Sequence, residues 1–413
     1  MAIPFYSIDF RRKEMLSFCR GLIPSSRGPL REALVKSLKE DFRDYDPLIF
    51  PSARMAFYLT LQSKFKEGDE IIFPVLGFPL YVKIACQLGL IPKFIDVEPT
   101  HLTMDPEKLR AALSPGTRGL IVTHLFGHPA RMDEIMEIAS QANLYVIEDC
   151  AQSYDSSFRG QPTGTFGDAG IFSCSLMKVP TTLGGGILIS KDRALIQDLK
   201  GKLQADAFSD RLSDKIGLFV KNSVSILNSY PLLYTLLSHQ VFGLIKRRDP
   251  QLLRKILYSG LGMDEQPFDV WERPRLTAYQ IRIGLSQFSR TREMTNRRRE
   301  YSRLLDQRLE SVERIRVLPE SADVFWNYQY YVIEVRGEGA MKKVYDQMFK
   351  RGIHLMEEDV WDCTAYDFSD RCEAVGVGVQ ANKGLIRIPN NSLLSPKHIE
   401  HIASVLAEVC VEL

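Results

Sequence analysis

The sequence lacks an excess of charge of either sign. Its 413 residues carry 53 Lys and Arg against 51 Asp and Glu, a net charge of +2, so no global basic footprint for nucleic acid is present. Paired cysteine spacing is missing too. Cys19, Cys86, Cys150, Cys174, Cys363, Cys372 and Cys410 are odd in number, and no two of them form a CxxC. This argues against a zinc or disulfide framework and predicts a reduced, cytoplasmic protein with no metal. The first residues, MAIPFYSIDFRRKEM, contain no apolar h-region, so no secretory signal is expected. Repeats and low-complexity tracts are absent as well. One absence is local: from Asn222 to Ile245 there is no Asp, Glu, Lys or Arg. Length alone makes this stretch a transmembrane candidate. However, Ser, Asn, His and Gln recur through it, Pro231 lies near its middle, and Lys221, Lys246, Arg247 and Arg248 flank it. Three readings stay open. They are helices packed on the body or at a dimer interface, a monotopic surface touching membrane at its inner face or a lipid-linked substrate, and a true span.

What is present is alternation. The chain is 45% hydrophobic, enough for one large core and a second domain. Residues 1–28 read as an arm, and Pro29–Asp44 as a helix. Strands are expected at Leu48–Phe50, Ile71–Pro74, Pro92–Asp96, Gly119–His124, Leu144–Glu148 and Gly186–Ser190. Helices are expected between them at Arg54–Lys64, Leu80–Leu88, Pro106–Leu113 and Ala130–Ala142, with Ala194–Gln204 following. Such alternation predicts crossover units, a mainly parallel sheet, and ligands gathered at the strand C-terminal ends. Pro274–Leu309 returns to helix, and its run Arg297, Arg298, Arg299 reads as a solvated face or a basic docking patch. A smaller α+β region follows. Its strands are expected near Ile315–Val317, Tyr328–Val335, Ile353–Met356 and Leu385–Ile388, and its helices at Ala340–Arg351 and Pro396–Val411.

Residues 147–186, IEDCAQSYDSSFRGQPTGTFGDAGIFSCSLMKVPTTLGGG, hold the chemistry. A buried strand delivers Glu148 and Asp149 to its tip, a second apolar segment leads to Ser173, and a lone lysine, Lys178, follows in a loop. A carboxylate, a hydroxyl and an isolated lysine on neighbouring strand ends suit pyridoxal 5'-phosphate (PLP). The lysine would hold the cofactor covalently and the acid would pair with its pyridine nitrogen. Ser52, with the amides of Ala53 and Arg54, starts a helix after a strand and suits a phosphate, although the same letters describe an ordinary capped helix. Phe78 could stack on the ring or be plain core. Gln152 could reach the ring's phenolic oxygen. Taken singly, Lys178 also reads as a surface lysine and Asp149 as a cap or salt-bridge partner.

The stretches HLFGHPARMDEI, VIEDCAQ and FGDAGIFS, with RLTAYQIRIGLSQF and LIRIPNNSLLSPKHIEHIASVLAEV, resemble the PLP-dependent sugar aminotransferases often called the DegT/DnrJ/StrS family. The resemblance implies the aspartate aminotransferase-like fold type I. That is an α/β chain with a large three-layer α/β/α domain on a mainly parallel mixed sheet, plus a smaller C-terminal α+β domain. The domains then run 1–28 (arm), 29–285 (cofactor-binding, with an atypical apolar insertion at 206–268) and 286–413. It implies a homodimer with shared active sites, Lys178 and Asp149 as catalytic residues, and Ser52, Ala53, Arg54, Phe78, Gln152 and Ser173 around the cofactor. Arg273 and Arg275 stand where the family reaches the partner's cofactor, and would serve a phosphate, a phosphorylated substrate or a different substrate. His124 and His128 read as structural or as proton-transfer groups. Gly184 replaces the family's usual acidic residue. The implied reaction moves an amino group, from glutamate by resemblance, to a keto or aldehyde carbon of a (nucleotide-)sugar in polysaccharide, lipopolysaccharide or secondary-metabolite synthesis. The rivals are a lipid-linked or other apolar carbonyl acceptor at a membrane surface, and a non-catalytic binding or regulatory protein on the same fold.

Overall fold

Strand β1 (Asp46–Phe50) begins a seven-stranded sheet whose last member is β9 (Gly186–Ser190). Between them in sequence come β2 (Glu70–Pro74), β3 (Ile91–Ile95), β4 (Thr117–Thr123), β5 (Tyr145–Asp149), the short pair β6 (Ser157–Phe158) and β7 (Gln161–Pro162), and β8 (Ala169–Ser173). The sheet order is β1-β9-β8-β5-β4-β2-β3. β9 runs antiparallel to both neighbours and the remaining pairs are parallel, so the sheet is mixed and mainly parallel, as expected. The computed structural model describes residues 2–20, 26–204, 212–249, 275–337, 339–355, 362–363 and 384–412.

Side chains alternate across each strand, and that alternation divides the core. Leu48, Phe50 and Leu188 join the cluster beneath helix Ala53–Lys64, with Phe57, Leu59 and Leu61. Ile49, Ile187 and Ile189 point the other way, into a second cluster. It holds Leu34 and Leu38 of helix Gly28–Asp41, and Ile281 and Phe288 of helix Ala278–Phe288. Helices on both faces make three layers. The central parallel strands are apolar throughout because both their faces are covered.

The expected strands and helices of this region are present with slightly shifted ends. The single helix expected over Pro274–Leu309 is instead two, Ala278–Phe288 and Thr291–Leu309. Their buried stripes meet different partners, the first packing on helices Arg12–Cys19 and Gly28–Asp41 and the second on Pro396–Val411. The chain turns at Ser289–Arg290 to serve both.

A second sheet has the order β10 (Ile315–Val317), β12 (Tyr331–Val335), β13 (Leu385–Ile388) and is antiparallel. β11 (Val324–Phe325) lies between β10 and β12 in sequence and pairs with β6, tying this region to the loop after Asp149. The strand expected at Ile353–Met356 does not form at its described residues. Ile353 makes an isolated parallel bridge to Ile3, because the N-terminal arm takes that backbone: Ile3 N donates to Gly352 O at 2.7 Å and His354 N to Ile3 O at 2.9 Å. Met356 lies outside the described residues. The uncharged stretch is helical, in Leu212–Ser229 and again from 231 to 248 with a π-type section at Tyr234–His239. Among the described residues no helix is long and apolar enough to cross a membrane, which removes the true-span reading there.

Candidate active site

Sheet register brings the expected residues to one edge. Thr123, Asp149 and Ile171 are successive neighbours across β4, β5 and β8. Gly186 stands between Phe50 of β1 and Ser173 of β8, and Ser52 bridges Gly185. These are the C-terminal ends of β1, β4, β5 and β8, where an α/β sheet opens a crevice.

Glu148 and Asp149, adjacent in sequence, face opposite ways and do different work. Glu148 is fully buried. Its Oε1 accepts from Phe166 N and Gly167 N, and its Oε2 from Gly164 N, each at 2.7 Å. His124 Nε2 lies 2.9 Å from the same Oε2. Because His124 Nδ1 accepts from Ala130 N at 3.1 Å, the ring proton sits on Nε2 and donates to Glu148. His124 and Glu148 therefore form a satisfied hydrogen-bond network that fixes the loop at 164–167, with Cys150 Sγ close beside it. His128 is structural as well. Its Nδ1 donates to Pro129 O, its ring stacks on His101, and burial pushes it down to about 3, keeping it neutral.

Asp149 is the carboxylate left for ligand. Its Oδ1 accepts from Ala151 N at 3.1 Å, and its Oδ2 accepts from no described residue. Burial raises its carboxyl to about 6, against the lowering effect of that hydrogen bond and of the nearby Lys178 and His124 charges. A buried carboxylate with one weak donor suits a protonated ring nitrogen. Gln152 is buried nearby. Its Oε1 accepts from Phe126 N at 2.8 Å, so the other end of the amide is the donor.

The anion end is built from the start of helix Ala53–Lys64. Ser52 caps it, accepting from Met55 N at 3.2 Å. The first amides of a helix, here Ala53 and Arg54, have no intrahelical acceptor and carry its positive pole. Strand β9 closes on this turn only because residue 186 is glycine: a Cβ there would stand 2.3 Å from Ala53 N. Ser173, half-buried, stands one strand over, its Oγ accepting from Ser175 N at 3.4 Å. Phe78 caps helix Pro79–Gln87 and meets Tyr81 edge-on at 5.4 Å, with its ring half-buried. Tyr81 in turn is near enough to Asp149 and Arg54 to feel both charges.

Lys178 is half-buried in the loop between β8 and β9. Its Nζ donates to the Tyr330 hydroxyl at 3.3 Å. The loop is gripped on both sides of it by Gln329, whose Oε1 accepts from Val179 N at 3.1 Å and whose Nε2 donates to Met177 O at 2.8 Å. Gln329 belongs to a buried hub. Asn327 Nδ2 donates to Gln152 O and Tyr154 O, and Trp326 Nε1 to Phe126 O. Gly127 completes the hub. Its φ is +91°, and a Cβ would stand 2.0 Å from Asn327 Oδ1.

Above the lysine lies a cavity lined by Tyr6, Ser7, Arg298, Tyr330, Arg387 and Asn390, among others. Arg298 is 4% exposed, its Nη1 meets no hydrogen-bond partner, and burial pushes it down to about 10. Arg387 is buried and lies over the Tyr330 ring at 4.2 Å. The reading of 297–299 as a solvated face is thus corrected. Arg297 is exposed, Arg298 is core-facing, and Arg299 pairs with Glu320 and covers Phe325. Tyr330, Arg298, Arg387, Gln329 and Asn327 were not among the expected site residues. Arg298 was findable, because it falls on the buried helical stripe of Met294, Thr295, Tyr301 and Leu305. Arg387 was findable as a charge inside the apolar strand LIRI.

Arg275 does not join this group. Its guanidinium donates to Leu203 O at 3.2 Å and lies beside Arg31. Arg273 lies outside the described residues.

The sequence model of the DegT/DnrJ/EryC1/StrS aminotransferase family matches residues 20–217 and 243–407, and the chain belongs to that family. The family's cofactor is PLP. A stretch of 119 residues, 29% of this chain, is 36% identical to L-glutamine:2-deoxy-scyllo-inosose aminotransferase of Streptomyces kanamyceticus. A stretch of 107 residues, 26% of this chain, is 36% identical to GDP-perosamine synthase of Escherichia coli O157:H7. These matches span 28% and 29% of the length of those two relatives. The whole chain superposes on Helicobacter pylori PseC, an aminotransferase involved in the biosynthesis of pseudoaminic acid. The TM-score is 0.77 at 15% identity, and the match covers 100% of both chains. The fold is the fold type I aminotransferase fold. The residues at the sheet edge suit PLP in kind. Asp149 would face the pyridine nitrogen, Gln152 the phenolic oxygen, Phe78 the ring, and Ser52, Ala53, Arg54 and Ser173 the phosphate.

Proposed function

We propose that this protein is a PLP-dependent aminotransferase that passes an amino group from glutamate to a keto or aldehyde carbon of a nucleotide-activated sugar. The observation that carries the reading is the lysine at the crevice. Lys178 is fixed by Gln329 on both sides, bonded to Tyr330, and close enough to Asp149 to lower its pKa.

Bound here, PLP supplies an electron-withdrawing ring that makes the donor's Cα–H acidic. The chain's own residues do the rest. Asp149, buried and under-bonded, keeps a proton on the ring nitrogen. Lys178 Nζ is the group that takes the proton from the donor's Cα and returns it, and Tyr330 OH holds that nitrogen in place. Arg298 and Arg387 present buried guanidinium groups to a donor carboxylate, where a charge-assisted hydrogen bond is strong because water is excluded. The relatives' printed names, an inosose aminotransferase and a GDP-perosamine synthase, support a cyclic polyol or sugar acceptor. The active unit in this reading is a cytoplasmic homodimer, in which Arg273 serves the partner's site.

A lipid-linked or other apolar acceptor is the second reading. The observation favouring it is a row of exposed aliphatic side chains on the helices between 212 and 248. The test is to load the protein with pyridoxamine phosphate and mix it with nucleotide-linked keto-sugars, simple aldehydes and lipidated carbonyls. Regained PLP absorbance with the keto-sugars supports the main reading. Regain with the lipidated compounds alone supports the second, and regain with none contradicts both.

A further inference from the structure

The helices between 212 and 248 carry apolar side chains on their outer face as well as their inner one. In Leu212–Ser229 the body-facing side mixes apolar and polar groups: Ile226 is 2% exposed and Phe219 stacks on Phe18, while Asn222 donates to Tyr279 OH at 3.3 Å and Ser229 is fully buried. The outward stripe is aliphatic. Ile216, Val220, Val224 and Leu227 recur at helical spacing, each 44–56% exposed. The second helical stretch has the same double character, with Tyr234 also buried at 2% exposure. Ser238 is buried, and Leu232, Leu236, Leu237 and Leu244 face outward, up to 67% exposed. An ordinary surface helix turns a polar face outward, so this contiguous aliphatic ridge is built to be covered.

Charge selects the cover. From Leu212 to Asp249 the sequence holds Lys215, Lys221, Lys246, Arg247 and Arg248 against Asp214 and Asp249 at the two ends, and Lys246 pairs with Asp346 at 2.8 Å, so the surplus is positive and rests on the other four. Contact between two copies of this ridge would press basic segments together. An anionic lipid surface answers both features, taking the aliphatic stripe into its headgroup boundary and the flanking cations at its phosphates. Pro231 divides the stretch into two helical pieces, and among the described residues neither is long and apolar enough to cross a membrane, which suits helices that lie flat. Most of the ridge falls within 218–242, the part of the chain that the family model does not match. The ridge also adjoins the active site. Tyr6 OH donates to Ser225 O at 3.2 Å, and Tyr6 lines the cavity that holds Arg298 and Tyr330.

We propose that the aliphatic ridge on residues 212–248 docks this protein on an anionic phospholipid surface, peripherally, with the cavity mouth beside the bilayer. The proposal goes beyond the assignment of the reaction, because docking is the same whichever acceptor is used.

The test is sedimentation of the full-length, PLP-loaded protein with vesicles of phosphatidylcholine alone or enriched in phosphatidylglycerol, at low and high salt. Turnover is not the readout, so failure of the proposed reaction leaves the assay intact. The wild type should bind phosphatidylglycerol vesicles, release at high salt, and bind neutral vesicles weakly. Leu236→Ser with Leu237→Ser should weaken partitioning at least about tenfold. Lys221→Glu with Arg248→Glu, both at exposed positions, should weaken it by at least about tenfold as well. Cofactor absorbance unchanged from wild type confirms that each variant is folded. No binding by wild type, or binding that the leucine substitutions do not alter, overturns the proposal. So does dissociation of a soluble dimer by the leucine substitutions without any vesicle binding, since the ridge would then be covered by a second copy.

Discussion

Lys178 and Tyr330 are joined by a hydrogen bond from Nζ to the phenolic oxygen at 3.3 Å, although 152 residues separate them in the chain. Burial acts to raise the Tyr330 phenol, but the charges of Lys178, Arg387 and Arg298 outweigh it and leave the group below its ordinary value. The hydroxyl is therefore a good acceptor for the lysine, and it ionises earlier than a free tyrosine. Tyr330→Phe should keep the fold and the bound cofactor while lowering kcat about tenfold to a hundredfold. The alkaline limb of the pH–rate profile should also change shape. An unchanged rate and profile would remove Tyr330 from the account.

Asp149 gives a stability prediction with a defined sign. Its carboxyl is raised from 3.8 to about 6 by burial, so between those values the native cofactor-free protein binds a proton that the unfolded chain has released. Its contribution to stability therefore falls as pH rises through that window. Asp149→Asn removes the effect. Above pH ~6 the cofactor-free variant should be more stable than wild type by up to about 3 kcal/mol, while its turnover falls. Denaturant melts of both proteins across the window test this, and parallel curves would contradict it.

Arg298 should show the same opposition between stability and function. A buried guanidinium with an unbonded Nη1 destabilises the free protein. Arg298→Met should stabilise it by about 1–3 kcal/mol and raise the glutamate KM about tenfold to a hundredfold. The acceptor KM should move little. If donor and acceptor KM rise together, the arginine does not select the donor carboxylate.

Gly186→Ala tests the anion end. The added methyl would stand 2.3 Å from Ala53 N, so either β9 or the helix start must shift. Overpacking of this kind costs about 1–3 kcal/mol. Because the displaced amide is one assigned to the phosphate, PLP affinity should fall as well, measured as the dissociation constant of added cofactor. A stability loss with unchanged PLP affinity would separate this turn from phosphate binding.

Much of the sheet and one half of the crevice were legible in the sequence. Apolar runs such as LYVIED and GILIS mark buried strands by composition alone, and strand ends are where α/β sheets hold ligands. Ser52, Asp149, Gln152, Ser173 and Lys178 lie on that edge and follow from it. The other half was not legible, because it depends on contacts between distant segments. Gln329 grips the Lys178 loop from a position whose local sequence, NYQYYV, reads only as strand, whereas the strand begins at Tyr331. Arg298 was hidden inside a basic triplet, where only the helical phase distinguishes a core-facing residue from its exposed neighbour. The break at Ser289–Arg290 was hidden for a related reason. Propensity continues through it, and the turn is dictated by which surfaces the two halves bury against.

The most direct measurement of the central claim is borohydride reduction of the PLP-loaded protein followed by peptide mass mapping. The account predicts a phosphopyridoxyl mass on the peptide that contains Lys178, and its loss in Lys178→Ala together with turnover. Labelling of a different lysine, or steady turnover in Lys178→Ala, would contradict it.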